Sequence, residues 1–295
     1  MPSLLMRVKS RLFIHTSRKS MHALDGAYAS LLRGRSTDFE DLREYQPGDE
    51  VRDIDWRATA RLSTPMVKRT RASRMHTVLL VVDTGRGMAA LAADDRPKRE
   101  LAVLAVGALG VLALRHDDDV SVVLGDADRV RRLPSKRSEG ALEHALRAID
   151  AGCAPDGPAS ARERLLDFVA RTIARRMIVA VVTDDAPITD ETERLLRRLR
   201  TQHDVLWVTL RDADPVRASA GGSSRRDVDT GWTVPEFLHG DAAVLREIDE
   251  RRRAEELRRD ALLTALEISH TELRTQDDAV PQLLRMLDRR AHVGA

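Results

Sequence analysis

Residues 77–82 read TVLLVV, an apolar run with neither charge nor polar alternation. A strand with one wet face alternates apolar and polar side chains. This run does not, so it needs apolar cover on both faces, as a central strand of a parallel sheet has. Runs of the same kind recur at 120–124 (VSVVL), 177–183 (MIVAVVT) and 205–210 (VLWVTL). Helical patterns separate them at 98–115, 139–149, 162–175 and 190–201. Strands alternating with helices predict a doubly wound, mostly parallel α/β sheet. Residues 129–133 are expected to form a hairpin partner for 120–124, 268–273 an edge strand and 280–289 a closing helix. Residues 242–263 are expected to form a long helix whose arginine clusters face solvent. The Gly-, Pro- and Ala-rich stretch 151–160 is expected to be a linker, and 212–240, with Gly221-Gly222-Ser223-Ser224, a loop-rich insertion. The α/β domain is placed at 76–292.

Ahead of it, residues 1–75 carry two amphipathic patterns, 3–14 and 19–33, and then an unusual segment, 34–68. There, acids and bases are interleaved with Phe39, Leu42, Tyr45, Ile54 and Trp56, and Pro47-Gly48 makes a hard turn. Asp49 is placed to cap a short helix running through Ala60, and 66–71 alternates like an edge strand. Arg forks pairing carboxylates in a partly buried polar network laid on another domain would account for this composition.

The order Phe39, Arg43, Tyr45, Pro47-Gly48-Asp49, Arg52, Ile54-Asp55-Trp56, Ala60-Arg61 resembles the signature of the bacterial domain-of-unknown-function-58 family. The resemblance implies that the downstream α/β domain is von Willebrand factor A-like (Rossmann-like in outline). It also implies partnership with a MoxR-type AAA+ ATPase.

Composition excludes several classes. Hydrophobic residues at 42% and charged ones at 33% describe a folded globular chain. One cysteine, Cys153, rules out an intramolecular disulfide and a cysteine-based zinc site and suits a reducing compartment. The longest apolar run, 101–114, is too short to span a bilayer, and no signal peptide is recognised at the start; a cytoplasmic setting is expected. The net charge of +2 is uneven: residues 1–75 hold 15 Lys/Arg against 9 Asp/Glu. The basic first twenty residues suit peripheral membrane contact, while nucleic-acid binding is not expected, because exposed aromatics are not interleaved with the bases.

Ligands of open α/β sheets sit beyond the carboxyl ends of the strands. Two ends carry acids: Asp83-Thr84-Gly85-Arg86-Gly87 and Asp184-Asp185. The family resemblance implies an Asp-x-Ser-x-Ser loop at the first, whose oxygens help hold Mg²⁺, a cation that takes hard oxygen ligands. Asp83 and Asp184 match; Gly85 and Gly87 stand where the serines belong. Mg²⁺ binding through Asp83 and Asp184 is therefore in doubt, no cofactor is the expectation, and Asp83 is equally a carboxylate capping its own turn. Arg86 is placed to fill the vacated cation position. The spacing Gly85-x-Gly87-x-x-Ala90 also matches a dinucleotide fingerprint, but Pro97 interrupts the helix that motif needs.

These residues predict an interaction or adaptor protein, not an enzyme, with a partner-binding face at Asp83, Thr84, Gly85, Arg86, Gly87, Asp184 and Asp185. A metal- or nucleotide-dependent enzyme using Asp83, Asp184 and Asp185 is the alternative.

Overall fold

The computed structural model describes residues 3–15, 28, 41–46, 54–69, 76–214, 226–228, 230–233, 235 and 241–293. Its centre is β3 (Thr77–Asp83), with all seven residues buried. Parallel neighbours flank it, β4 (Asp119–Gly125) on one side and β6 (Ile178–Asp184) on the other. Beyond β6 lie β7 (Asp204–Leu210) and β8 (Ser269–Leu273), both parallel, and beyond β4 the antiparallel edge strand β5 (Val130–Lys136). The sheet order is β5-β4-β3-β6-β7-β8. The doubly wound, mostly parallel α/β expectation holds.

Period-two alternation divides the strand side chains between two apolar layers. Val78, Leu80 and Val82 meet one cluster and Leu79 and Val81 the other. The first layer contains α3 (Lys98–Arg115), α4 (Glu139–Gly152), α8 (Gln276–Val293) and α1 (Leu4–His15). The second is covered by α5 (Arg162–Thr172) and α6 (Asp190–Gln202), and Leu263 of α7 (Ala242–Ala265) joins it. Helix α3 lies within the first layer, and Leu101, Ala102, Ala105 and Val106 are fully buried. Each such leucine or valine contributes roughly 1.5–3 kcal/mol of burial energy.

Helix α1 is part of this core. Leu5, Val8 and Leu12 face it, and a Cβ on Gly107 of α3 would lie 2.7 Å from Val8. Glu143 of α4 accepts from the N–H of Leu4 at 3.2 Å and of Leu5 at 2.7 Å, satisfying donors that a helix start leaves free. Of the expected helix at 19–33 only Tyr28 is described. It is helical and buried, and its hydroxyl donates to Asp118 at 2.8 Å.

In the 34–68 segment β1 (Asp41–Glu44) pairs antiparallel with β2 (Met66–Arg69), and α2 (Trp56–Leu62) precedes β2. Arg43 lies opposite Val67, the Tyr45 N–H donates to Pro65 at 2.8 Å, and Ile54 bridges Val67. Asp55, not Asp49, caps the helix: its carboxylate accepts from Arg57 N at 2.9 Å and Ala58 N at 3.0 Å. A helix through Ala60 cannot begin earlier, because residues 54 and 55 are extended. Trp56 is 66% exposed and Ala60 and Arg61 are exposed, so the tryptophan is not buried in the polar network its setting suggested. Phe39, Pro47, Gly48, Asp49 and Arg52 lie outside the described residues. Among the described residues no helix is long and apolar enough to cross a membrane.

Candidate functional site at the strand-end rim

The chain enters the sheet at β3, builds outward through β4 to β5, and then returns to place β6 against the other side of β3. The reversal opens a crevice at the carboxyl ends of β3 and β6, the position where open α/β sheets bind ligands. Asp83 and Asp184 terminate those strands.

The β3 side of the rim is closed. Residues 154–161 fold over it, with Arg86 N donating to Pro158 O at 2.8 Å and Ala127 N to Ala159 O at 3.0 Å. A Cβ on Gly85 would lie 2.4 Å from the Ser160 backbone, so no side chain fits there. Asp83 is 1% exposed, and Thr84 and Gly85 are buried with it. The Asp83 carboxylate accepts from Gly85 N at 2.7 Å and from Ala161 N at 3.1 Å. Burial pushes this carboxyl up to about 7 despite those donors, and the Asp184 charge adds to the rise. Asp83, Thr84 and Gly85 are therefore shut away from any partner. The expected linker at 151–160 is instead this cover, and Cys153 is buried in the core beneath it. That burial, chiefly, pushes its thiol up to about 12.

The β6 side is open. Gly87, Asp184, Asp185, Lys98 and Asp212 line a cleft of about 1070 Å³. Lys98, in the same lining, is 1% exposed at the first turn of α3. A cation at a helix N-terminus opposes the helix dipole and is expected only where carboxylates compensate. Here Lys98 pairs with Asp212, which is brought across by the Ala92–Asp212 bridge and by Ala213 N donating to Leu91 O at 2.8 Å. Burial works against the ammonium, but Asp212, Asp184 and Asp185 outweigh it and hold its pKa above the ordinary value. Asp212 is pushed up, by burial first and also by Asp185, while Lys98 pulls the other way. The positive charge assigned to Arg86 is thus set against Asp184 by Lys98, while Arg86 itself is half-buried on the short 3₁₀ turn Arg86–Ala89. That turn also leaves no long helix at the glycines for a dinucleotide phosphate.

Arg162, buried at the start of α5, fixes the loop after β6. It donates to Ala186 O at 3.0 Å and Pro187 O at 2.7 Å and lies over the Trp207 ring at 5.9 Å. Opposite stands α7, which is not wholly solvated as its charge pattern suggested. Arg259 is buried and donates to Glu272 at 2.7 Å, Arg211 of the β7 end pairs with Glu256, and Arg252 pairs with Asp214 at 3.7 Å. Arg251, Arg253 and Arg258 do face solvent. At the mouth, an antiparallel turn carries Trp232, 56% exposed.

The donor set does not suit Mg²⁺. Both Asp83 oxygens already accept backbone N–H groups, Gly85 and Gly87 offer no side-chain oxygen, and Lys98 supplies the local cation. A Cβ on Gly87 would reach 2.8 Å from Ser160 Oγ and 3.0 Å from Asp184 Oδ2, so the hydroxyl position is walled in. Among the described residues no group of three or more His, Cys, Asp or Glu side chains could hold a metal ion. Lys98, Ser160, Asp212 and Trp232 are the site residues that sequence reasoning missed. Only Lys98 left a signal, a cation at the dipole-positive start of an apolar helix.

A family model described as "Protein of unknown function DUF58" matches residues 41–258. The chain is 30% identical over 219 residues to the uncharacterized protein Rv1480 of Mycobacterium tuberculosis, covering 72% of this chain and 67% of that protein. Among solved structures it is similar to the conserved hypothetical protein BatB from Bacteroides thetaiotaomicron (11% identity, TM-score 0.46, 74% of this chain and 99% of that one). It is also similar to a von Willebrand factor type A protein from Catenulispora acidiphila (13% identity, TM-score 0.39, 77% and 44%). At those scores the fold assignment stands on the sheet order and the two-layered core.

Proposed function

The chain belongs to the DUF58 family of proteins of unknown function, and on that premise we propose that it is a non-enzymatic protein-interaction module of the von Willebrand factor A-like type. Its gripping surface is the open half of the rim, Gly87, Asp184 and Asp185 with Lys98 beneath them. By the family resemblance the partner is a MoxR-type AAA+ ATPase, and the pair works in assembly or maturation of other complexes. The adhesion-type metal site is degenerate in this reading. A lysine side chain stands in for the ion as the charge that organises the carboxylates.

One observation carries the reading: a roomy cleft at the topological switch point, with Asp184 and Asp185 on its wall and the loop that follows them fixed by Arg162. Ala186 is exposed on the cleft wall, so Ala186→Arg blocks the surface without disturbing the core. In a pull-down with the full chain as bait, wild type is expected to retain the ATPase and Ala186→Arg to lose it. Equal retention by both contradicts the reading.

The enzymatic alternative draws on one feature, the Asp83 carboxyl at about 7, since perturbed groups cluster at active sites. Against it, Asp83 is enclosed and cannot meet a substrate in the cleft. Turnover of nucleotide with divalent ion, abolished by Asp83→Asn, would establish the enzyme instead.

A further inference from the structure

The proposed function leaves open what chemistry the cleft selects, and the charges inside it are unequally matched. Most cations of its wall are committed to acids: Lys98 to Asp212, Arg211 to Glu256 and Glu272, Arg259 to Glu272, Arg252 to Asp214. Arg251 pairs along its own helix with Glu247 at 3.1 Å. The acids are not used up in the same way. Asp184 accepts only from Ala186 N, at 3.3 Å, among the hydrogen bonds of the described residues, and shares Lys98 with two other carboxylates. Glu255, on the cleft wall, has Oε1 buried with no hydrogen-bond partner among the described residues. A buried carboxylate oxygen without a donor is costly, and a donor brought by a ligand relieves that cost.

The apolar part of the lining points the same way. Trp232 stands exposed at the mouth, with Leu91, Pro187 and Val228 on the same lining. An aromatic face beside carboxylates is the chemistry that receives a guanidinium or ammonium on an aliphatic stem. Arg226 and Arg258 are exposed on the same cleft; they disfavour a run of basic residues and leave room for a single one among neutral or acidic neighbours.

We propose that the cleft takes one arginine or lysine side chain from an extended segment of a protein partner. Its charged head sits between Asp184, Asp185 and Glu255, and its stem lies against Trp232. This inference rests on the interaction reading above.

The test is selection of a random twelve-residue peptide display library on the immobilised full chain. Wild type is run beside Ala186→Arg, Trp232→Ala and Asp184→Asn/Asp185→Asn, each first checked by thermal unfolding. The expected result is enrichment of peptides with one Arg or Lys. Their affinity should fall about tenfold or more in the Asp184→Asn/Asp185→Asn variant, as the loss of close interfacial charge pairs typically does. It should also weaken in Trp232→Ala, whose exposed indole is not needed for folding. Acidic or uncharged peptides that are lost in Ala186→Arg would overturn this inference and leave the interaction reading standing. Peptides indifferent to Ala186→Arg, or none enriched over a blank surface, would overturn both.

Discussion

The two halves of the strand-end rim begin alike and end differently. Each is a buried apolar strand running into an aspartate, Asp83 on β3 and Asp184 on β6. At Asp83 the following glycine lets residues 154–161 pack directly on the backbone, and the carboxylate turns inward to hold two N–H groups. At Asp184 no such cover lies among the described residues, and the acids look into a cleft with a buried lysine at its floor. The same sequence feature thus produces a structural post in one place and a candidate binding surface in the other. A neighbouring loop decides which.

The contrast can be broken first through pH. The Asp83 carboxyl stands at about 7 in the fold against an ordinary value of 3.8. A folded pKa raised in this way means the folded state holds its proton longer. The stabilisation is complete below the unfolded value and is lost as pH rises through the folded one. Between pH 4 and 7 wild type should lose up to about 4 kcal/mol relative to Asp83→Asn, measured as the difference between their urea-unfolding curves. A flat difference would mean that Asp83 is not enclosed.

The open half is challenged next by Lys98→Met, which keeps the stem and removes the charge from among Asp184, Asp185 and Asp212. Stripping one member from a buried ion pair leaves the others uncompensated, and about 3 kcal/mol of stability should go at neutral pH. The loss should shrink in acid, where the carboxylates protonate; thermal melts at pH 7.5 and 4.5 check both statements.

Gly85→Ala then probes the cover. Its Cβ would press on the Ser160 backbone at 2.4 Å, so a destabilisation of about 2 kcal/mol is expected from overpacking. Restoring the serine of an adhesion-type loop at that position should hurt the fold, not rebuild a metal site. By contrast Trp232→Ala, on the open half, should change the unfolding free energy by less than about 0.5 kcal/mol.

Much of this architecture was legible in the residues. The runs at 77–82 and 177–183 announce strands buried on both faces, and an acid after each marks where a rim must lie. Sequence alone could not show that Gly85 is forced by a backbone contact with residues far downstream. Nor could it tell cover from linker in 151–160, since Gly, Pro and Ala suit both. The pairing of Lys98 with Asp212 is wholly tertiary, made when the turn before α3 meets the end of β7. Helix α7 misled because its acids and bases look solvated until Arg252 and Arg259 are seen turned onto the rim.

Hydrogen exchange on the full chain, alone and with a MoxR-type ATPase supplied as the proposed partner, tests the division of the rim most directly. Slowed exchange on binding should fall at 184–187, 226–233 and 251–259, with 83–85 and 154–161 unchanged. Protection gathered at 83–85 and 154–161, or confined to the 41–69 segment, would contradict the assignment of the open half as the gripping surface.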